Sequence, residues 1–188
     1  VYLGGKALNA RRNAGNFDDA ELRQAVEYCH LHGTKVLQTL NIVMFDEELP
    51  ELEHAVRMAA RLGVDAIIVQ DLGVLAVLKE MTDLPLLAST QMAVHNLAGA
   101  QEAERLGCSR VVLARELTAS EIGRIVSGIS AETEVFIHGA LCMSVSGQCY
   151  LSSMLGGRSG NRGLCAQPCR LPFSAGRAEY ALSLKDLS

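Results

Sequence analysis

Ala66-Ile67-Ile68-Val69-Gln70-Asp71 is a short apolar run, rich in β-branched residues, that is followed at once by two polar residues. Such a run is typical of a strand that is buried on both faces. Similar runs cover Lys35 to Leu40, Leu86 to Ala88, Val111 to Leu113 and Val135 to Ile137, and each is followed by an amphipathic stretch of helical length. This alternation predicts an α/β fold with a parallel sheet.

The stretches between these runs carry start and stop signals for helices. The first predicted helix begins near Asp18 and ends before Gly33. Further helices are predicted from Glu47 to Arg61, closed by Gly63, from Ala93 to Leu106, closed by Gly107, and from Thr118 to Val126, closed by Gly128. Because glycine is a common C-terminal stop, these limits agree with helices that connect parallel strands.

Buried parallel strands with helices between them form either an open doubly wound sheet or a closed barrel. A dinucleotide-binding sheet should carry Gly-x-Gly-x-x-Gly after its first strand, and Gly4-Gly5 lacks that spacing. Polar residues gather where the predicted strands end, which is where (β/α) barrels build their active sites. They are Asn41, Gln70, Asp71, Ser89, Thr90, Gln91, Arg115, Glu116 and His138. We therefore predict a parallel TIM-like barrel, although polar residues at these positions can also simply open loops.

The number of predicted strands is too small for a closed barrel. Val1 to Leu3 resembles the tail of a first strand, which gives six strands, and Tyr180 to Leu184 is a candidate for the start of a seventh. A closed barrel of this kind needs eight. We expect residues 1–188 to form one incomplete barrel domain with a cysteine-rich loop at 138–172. The rest of its own chain is the expected partner at the open side.

The composition limits the classes of function. A net charge of −4 gives no overall attraction for nucleic acid or anionic membranes, so any such binding must be local. No apolar run approaches the roughly 18 to 20 residues that span a bilayer, and no signal pattern opens the chain. We therefore expect a cytoplasmic protein without a membrane span. Six cysteines in 188 residues are too few for a disulfide scaffold.

Four of the six cysteines lie within 28 residues, with the spacing Cys-x6-Cys-x15-Cys-x3-Cys. They are Cys142, Cys149, Cys165 and Cys169. The loop around them is rich in glycine and serine, so apolar packing cannot order it, whereas four thiolates on one metal centre could. The short Cys165 to Cys169 spacing suits zinc, and the longer first gap suits an iron–sulfur cluster. Four buried, inert cysteines remain the alternative.

The same segment is unusual in charge. No acidic residue occurs from Val135 to Ala178, whereas Arg158, Arg162, Arg170 and Arg177 are present. Arginine binds phosphate and carboxylate groups through two hydrogen bonds, so the segment could receive a small anion or a folded RNA. Alternatively, these arginines pair with acids on neighbouring helices or compensate an anionic thiolate cluster.

The cysteine motif closely resembles that of the collagenase-like peptidase family of unknown mechanism, numbered U32. The resemblance is carried by Glu134-x-Phe136-x-His138-Gly139-Ala140-Leu141-Cys142-x-Ser144-x-Ser146-Gly147-Gln148-Cys149-x-Leu151-Ser152. Further segments are similar, namely Tyr2-Leu3-Gly4-Gly5-Lys6, Val69-Gln70-Asp71, Ser89-Thr90-Gln91-Met92, His95-Asn96 and Asn161-Arg162-Gly163-x-Cys165-x-Gln167-x-Cys169-Arg170. This chain has Val145 where the family usually has an aromatic residue.

The resemblance implies two different activities. The family is named for collagen degradation, yet some members resemble iron–sulfur proteins that support oxygen-independent hydroxylation. Their targets are a 23S rRNA cytidine, a tRNA wobble uridine with prephenate as oxygen source, and ubiquinone precursors. By this resemblance the four clustered cysteines would hold an iron–sulfur cluster, expected to be 4Fe–4S, with zinc as the alternative.

Other classes of function remain as alternatives. A serine protease would need a Gly-x-Ser-x-Gly turn and a zinc protease His-Glu-x-x-His, and neither occurs. A cysteine protease that uses Cys142 with His138 leaves three cysteines unexplained. A non-catalytic, metal-stabilised RNA-binding module would explain the cysteines and arginines, but not the polar residues at the strand ends.

The candidate site residues follow from these arguments. Glu134 and His138 are the catalytic candidates, because alternate residues of a strand share one face. The candidates for substrate binding are Asn41, Gln70, Asp71, Gln91, His95, Asn96, Arg115, Glu116, Arg158, Arg162 and Arg170.

Overall fold

The computed structural model describes residues 1–139 and 142–179. Within them, six parallel strands form one sheet in sequence order. The strands are β1 (Tyr2–Gly4), β2 (Leu37–Leu40), β3 (Ala66–Val69), β4 (Leu86–Ala88), β5 (Cys108–Val112) and β6 (Glu132–Glu134). Because every pair of neighbouring strands is parallel, all six strands present their carboxyl ends at one edge.

Helices return the chain from each strand to the next. They are α1 (Asp19–Leu31), α2 (Leu49–Leu62), α3 (Leu72–Met81), α4 (Leu97–Arg105) and α5 (Ala119–Gly128), followed by the short α6 (Leu151–Gly156). Asp18 caps α1 by accepting hydrogen bonds from the backbone N–H groups of Ala20 and Glu21. A two-stranded hairpin, β7 (Ser174–Ala175) with β8 (Ala178–Glu179), follows the cysteine-rich loop.

The central strands β3 and β4 are buried on both faces. On the helix side, Ile67 and Val69 pack in the main core with residues such as Leu75. On the other face, Ala66, Ile68 and Leu87 form a separate small cluster. Burial on both faces is the reason that these strands consist of continuous apolar runs.

The sheet also curves. The hydroxyl group of Tyr2, on edge strand β1, donates a hydrogen bond to the carboxylate of Glu134, on the opposite edge strand β6. Contact between the two outer strands requires a sheet that curls as a barrel wall does. The prediction of a parallel, barrel-like α/β fold, incomplete with six strands in the described residues, is therefore confirmed.

One predicted strand is misplaced. Val135 to Ile137 was the expected sixth strand, but β6 ends at Glu134, and Ile137 is 93% exposed. Arg110 on β5 donates hydrogen bonds to Glu132 (2.8 Å) and Glu134 (3.2 Å), and these cross-strand ion pairs fix the register. Charge pairing therefore overrides the higher strand propensity of the next three residues.

Two helices differ from the sequence expectation. Helix α4 begins at Leu97, not Ala93, because Ala93 has a left-handed backbone (φ 57°) and Asn96 supplies the cap. Helix α3 follows Ala66 to Val69, where a stretch of helical length is expected, but its sequence indicates no bounds because it is apolar nearly throughout and lacks a clear amphipathic pattern. The candidate seventh strand, Tyr180 to Leu184, lies outside the described residues. In the described part of the chain, no helix is long and apolar enough to cross a membrane.

Candidate metal and substrate site

The cysteine segment, defined as residues 138–172, lies across the carboxyl ends of the strands. Its motif residues Ala140 and Leu141 are outside the described residues. Gly163 accepts a hydrogen bond from Arg12 N–H (3.1 Å), and Asn161 accepts from Val43 N–H (3.2 Å) and from the Gln70 amide (3.0 Å). These contacts fix the segment to the loops that follow β1, β2 and β3.

Arg162 makes the strongest of these attachments. Its guanidinium group donates to both carboxylate oxygens of Glu48 (2.8 and 2.5 Å) and to the Val43 carbonyl (2.9 Å). It also lies over the Phe45 ring, 4.4 Å from the centroid. The arginine, helped by the Phe45 N–H, lowers the pKa of Glu48 to about 2. The charge of Arg162 is therefore matched by an acid of a neighbouring loop, which favours the alternative to anion binding at this residue.

A second attachment joins the segment to the loop after β5. The buried Ser146 donates its N–H (2.9 Å) and its hydroxyl (3.2 Å) to the carboxylate of Glu116. Arg115 donates to the Ser146 hydroxyl (3.2 Å) and to the Ser144 carbonyl (3.3 Å). His95 completes this polar cluster, with its Nε2 3.6 Å from the Glu116 carboxylate. Arg115 and Glu116 therefore hold the segment in place.

The four clustered thiols share one neighbourhood. Burial raises the pKa of the Cys169 thiol, the thiols of Cys142 and Cys165 raise it further, Arg170 lowers it, and Cys149 raises it again. Because charges act on one another over short distances, these effects agree with the other three cysteines lying in the neighbourhood of Cys169. Cys142 and Cys165 are exposed, whereas Cys149 and Cys169 are half-buried.

The donor set fits a thiolate-bound metal group, because cysteine thiolates are the usual ligands of zinc and of iron–sulfur clusters. Across residues 1–139 and 142–179, however, no three His, Cys, Asp or Glu side chains are arranged to hold a metal ion. With Zn–S bonds of about 2.3 Å, four tetrahedral ligands would place their sulfurs roughly 3.8 Å apart. The thiols thus interact electrostatically without forming a single-ion site.

Four of the predicted substrate-binding residues have structural partners. Asn41 accepts a hydrogen bond from Ala10 N–H, and Gln70 donates to Asn161. Asp71 caps α3, and Asn96 caps α4. Polar residues at these positions therefore stabilise loops and helix ends, in agreement with the alternative interpretation that polar residues at strand ends simply open loops.

Three other candidates keep polar groups near the segment. The Oε1 atom of Gln91 is buried and finds no hydrogen-bond partner among the described residues. Arg158 is exposed, and Arg170 acts on Cys169 through its charge. Of the predicted set, Gln91, Arg158 and His95 are the best placed to meet a ligand.

The two catalytic candidates do not share a strand face, so that expectation is wrong. His138 is exposed and lies beyond the end of β6. Glu134 accepts hydrogen bonds from Tyr2 and Arg110, and burial raises the pKa of its carboxyl group. Their catalytic roles stay predictions.

Sequence reasoning missed three residues of this region: Glu48, Ser146 as a buried anchor, and Arg110. Glu48 lies 114 positions from its partner Arg162, so no local motif could have paired them. The only available signal for Arg110 was a charged residue beside an otherwise apolar run.

Comparison with known proteins identifies the family of this chain. The family model described as Peptidase family U32 matches residues 1–188. The chain belongs to peptidase family U32. Among the U32 relatives, the 23S rRNA 5-hydroxycytidine C2501 synthase of Escherichia coli is 41% identical over 99% of this chain and 29% of its own length.

Two further relatives carry different names. The tRNA hydroxylation protein P1 of Bacillus subtilis is 36% identical over 92% of this chain and 41% of its own length. The collagenase of Porphyromonas gingivalis is 34% identical over 98% of this chain and 47% of its own length. The chain therefore spans less than half of each of these relatives.

A solved structure supports the fold. The U32 peptidase Mk0906 superposes with a TM-score of 0.59 at 20% identity, over 74% of this chain and 60% of that one. At this identity the similarity supports the barrel-like architecture alone.

Proposed function

We propose that this U32 protein is an enzyme that hydroxylates a base of ribosomal or transfer RNA, with an iron–sulfur cluster held by Cys142, Cys149, Cys165 and Cys169. The observation that carries the proposal is the position of the cysteine segment. The segment that carries the four cysteines is fixed across the carboxyl ends of the strands, where barrel enzymes build their active sites, and the other three cysteines act on the Cys169 thiol there.

The arrangement of the thiols favours a cluster over zinc. Cys142, Cys165 and Cys149 act on the Cys169 thiol, yet no three side chains in the described residues are placed to hold a single ion. A cluster contains several metal atoms and therefore accepts sulfurs that are farther apart than the ligands of one zinc ion. When bound, such a cluster would supply one-electron redox chemistry.

The charge of the segment is compatible with RNA. No acid occurs from Val135 to Ala178, and Arg158 is exposed there. Arginine recognises phosphate oxygens without reading sequence, so this residue would position a nucleotide and leave base selection to other groups. The names of the rRNA and tRNA relatives support the same class of substrate, which would place the protein in the cytoplasm.

Two groups at the strand ends could interact with a nucleotide base. The unpaired carboxamide of Gln91 can exchange hydrogen bonds with a base edge, and the His95–Glu116 pair can hold or move a proton. In an oxygen-independent reaction the new hydroxyl oxygen would come from a donor molecule, for which prephenate is the candidate, and a small aromatic acceptor is an alternative substrate.

Peptidase activity is the second candidate, since a relative is named a collagenase. The exposed Cys142 and His138 are the residues that such an activity would use. This reading leaves Cys149, Cys165 and Cys169 without a role.

The test is a deletion strain whose rRNA and tRNA nucleosides are compared with wild type by mass spectrometry. Complementation with Cys142→Ala or Cys165→Ala should fail to restore the missing hydroxylated nucleoside, whereas Cys29→Ala, outside the segment, should restore it. Iron, sulfide and zinc are measured in the anaerobically purified full-length protein. An unchanged nucleoside profile, together with gelatin cleavage that survives both cysteine substitutions, would establish the peptidase instead.

A further inference from the structure

A cavity of about 510 Å³ lies on the helix side of the sheet, between α1, α2 and strand β2. Its walls include the apolar side chains of Phe17, Leu22, Leu40 and Met58. No described residue that lines it belongs to the cysteine segment. The cavity is therefore separate from the site proposed above, and its volume is in the range of about 300–1,000 Å³ that is usual for small-molecule pockets.

One polar side chain lines this cavity from the sheet. Gln38, on β2, is only 3% exposed and faces the helices beside Leu40. Its Oε1 atom is buried without a hydrogen-bond partner in residues 1–139 and 142–179. Because an unpaired buried amide is costly, a carboxamide kept at this position indicates a missing partner.

The rim of the cavity is acidic. Asp18, Asp19 and Glu51 stand there against the single ammonium group of Lys6, which gives a charge of −2 when His54 is neutral. Lys6 is 3.1 Å from Asp18, and His54 is 3.3 Å from Asp19. The excess of carboxylates attracts a cation and repels an anion.

We propose that this cavity binds a small arylalkylamine, charged as an ammonium ion, with a hydroxyl group at the far end of its apolar body. The ring lies against the apolar walls, the hydroxyl group bonds the carboxamide of Gln38, and the ammonium group stays at the rim with the carboxylates. A hydroxyl group both donates and accepts, so it satisfies either orientation of the carboxamide.

Three matched probes test the hydroxyl group and the charge: tyramine, phenethylamine, which lacks the hydroxyl group, and 4-hydroxyphenylacetate, which carries an anion in place of the cation. Binding to the full-length protein is measured by calorimetry. Tyramine should bind at least 10-fold more tightly than phenethylamine, because the unpaired Gln38 penalises a ligand without a hydroxyl group. The anion should bind at least 10-fold more weakly than tyramine.

Two variants locate the binding. Gln38→Leu should abolish the difference between tyramine and phenethylamine, and Ala55→Phe, which fills the cavity from α2, should remove tyramine binding. If Gln38→Leu does not fold, the Ala55→Phe result and the probe series decide. Equal affinities for the three probes, no tyramine binding, or tyramine binding that survives Ala55→Phe overturns the proposal.

Discussion

Arg162 binds the carboxylate of Glu48 through two hydrogen bonds of 2.8 and 2.5 Å, although 114 positions separate the two residues. Both side chains are only 18% exposed. The pair joins the cysteine segment to the loop that follows β2, between the second and third cysteines of the motif. Its loss should therefore affect both the stability of the protein and the order of the proposed metal site.

Glu48→Gln should lower the free energy of unfolding by about 1.5–3 kcal/mol, the usual value of hydrogen bonds to charged groups. Urea denaturation monitored by circular dichroism measures it. Glu53→Gln is the matched control, because Glu53 pairs with Arg57 on an exposed helix surface and should change stability by at most about 0.5 kcal/mol. Equal effects of the two substitutions would contradict the structural role of Arg162.

The same pair predicts a dependence of stability on pH. Glu48 has its pKa lowered from an ordinary 4.5 to about 2 in the folded protein. Its contribution is therefore fully present above pH 4.5 and is lost as the pH falls towards 2. The stability difference between wild type and Glu48→Gln should shrink over this range. A difference that is constant from pH 6 to pH 3 would show that the carboxylate does not carry the effect.

The six cysteine thiols should differ in their rates of alkylation. Burial raises the pKa of Cys108 to about 11, so this thiol should resist iodoacetamide at pH 8 in the folded, metal-free protein. The exposed Cys142 and Cys165 should react first. Peptide mass spectrometry after timed alkylation measures the order. A bound metal group should protect Cys142 and Cys165 but leave the slow rate at Cys108 unchanged, and alkylation that metal does not slow would count against ligation.

Gly163 should be intolerant of a side chain. It has φ +75°, and a Cβ atom there would overlap the Asn9 carbonyl oxygen. Gly157→Ala is the matched control, since Gly157 has φ +66° but open space around it. Both variants share the backbone strain, so Gly163→Ala should cost about 1–3 kcal/mol more and should reduce the metal content of the purified protein. Equal stability and metal content would mean that the segment does not pack on the loop after β1.

The sequence predicts the strands well where burial alone decides them. The runs at Ala66–Val69 and Leu86–Ala88 match β3 and β4, because continuous apolar residues fit a sheet covered on both faces. It fails at Val135 to Ile137, where the ion pairs of Arg110 select the preceding three residues. The pairing of an arginine with a residue on the next strand depends on the tertiary structure, so local strand propensity cannot predict it.

The candidate site shows the same division. The spacing of the four cysteines and the absence of acids around them are visible in the sequence, and they identify the segment. The groups that fix its position are not visible there, because Glu48, Glu116 and Gln70 each meet it across 30 or more positions of the chain. Several polar residues that we expected to bind substrate instead hold the cysteine segment in place.

The attachment of the cysteine segment to loops after β1, β2, β3 and β5 has a consequence for the order of assembly. These contacts have high sequence separation, and each loop reaches its place only when its strand has joined the sheet. We therefore expect the segment to dock late in folding. The proposed metal group would then be inserted when the sheet has formed but the cysteine segment has not yet docked on it. Maturation of the protein would proceed in two stages, scaffold first and cofactor second.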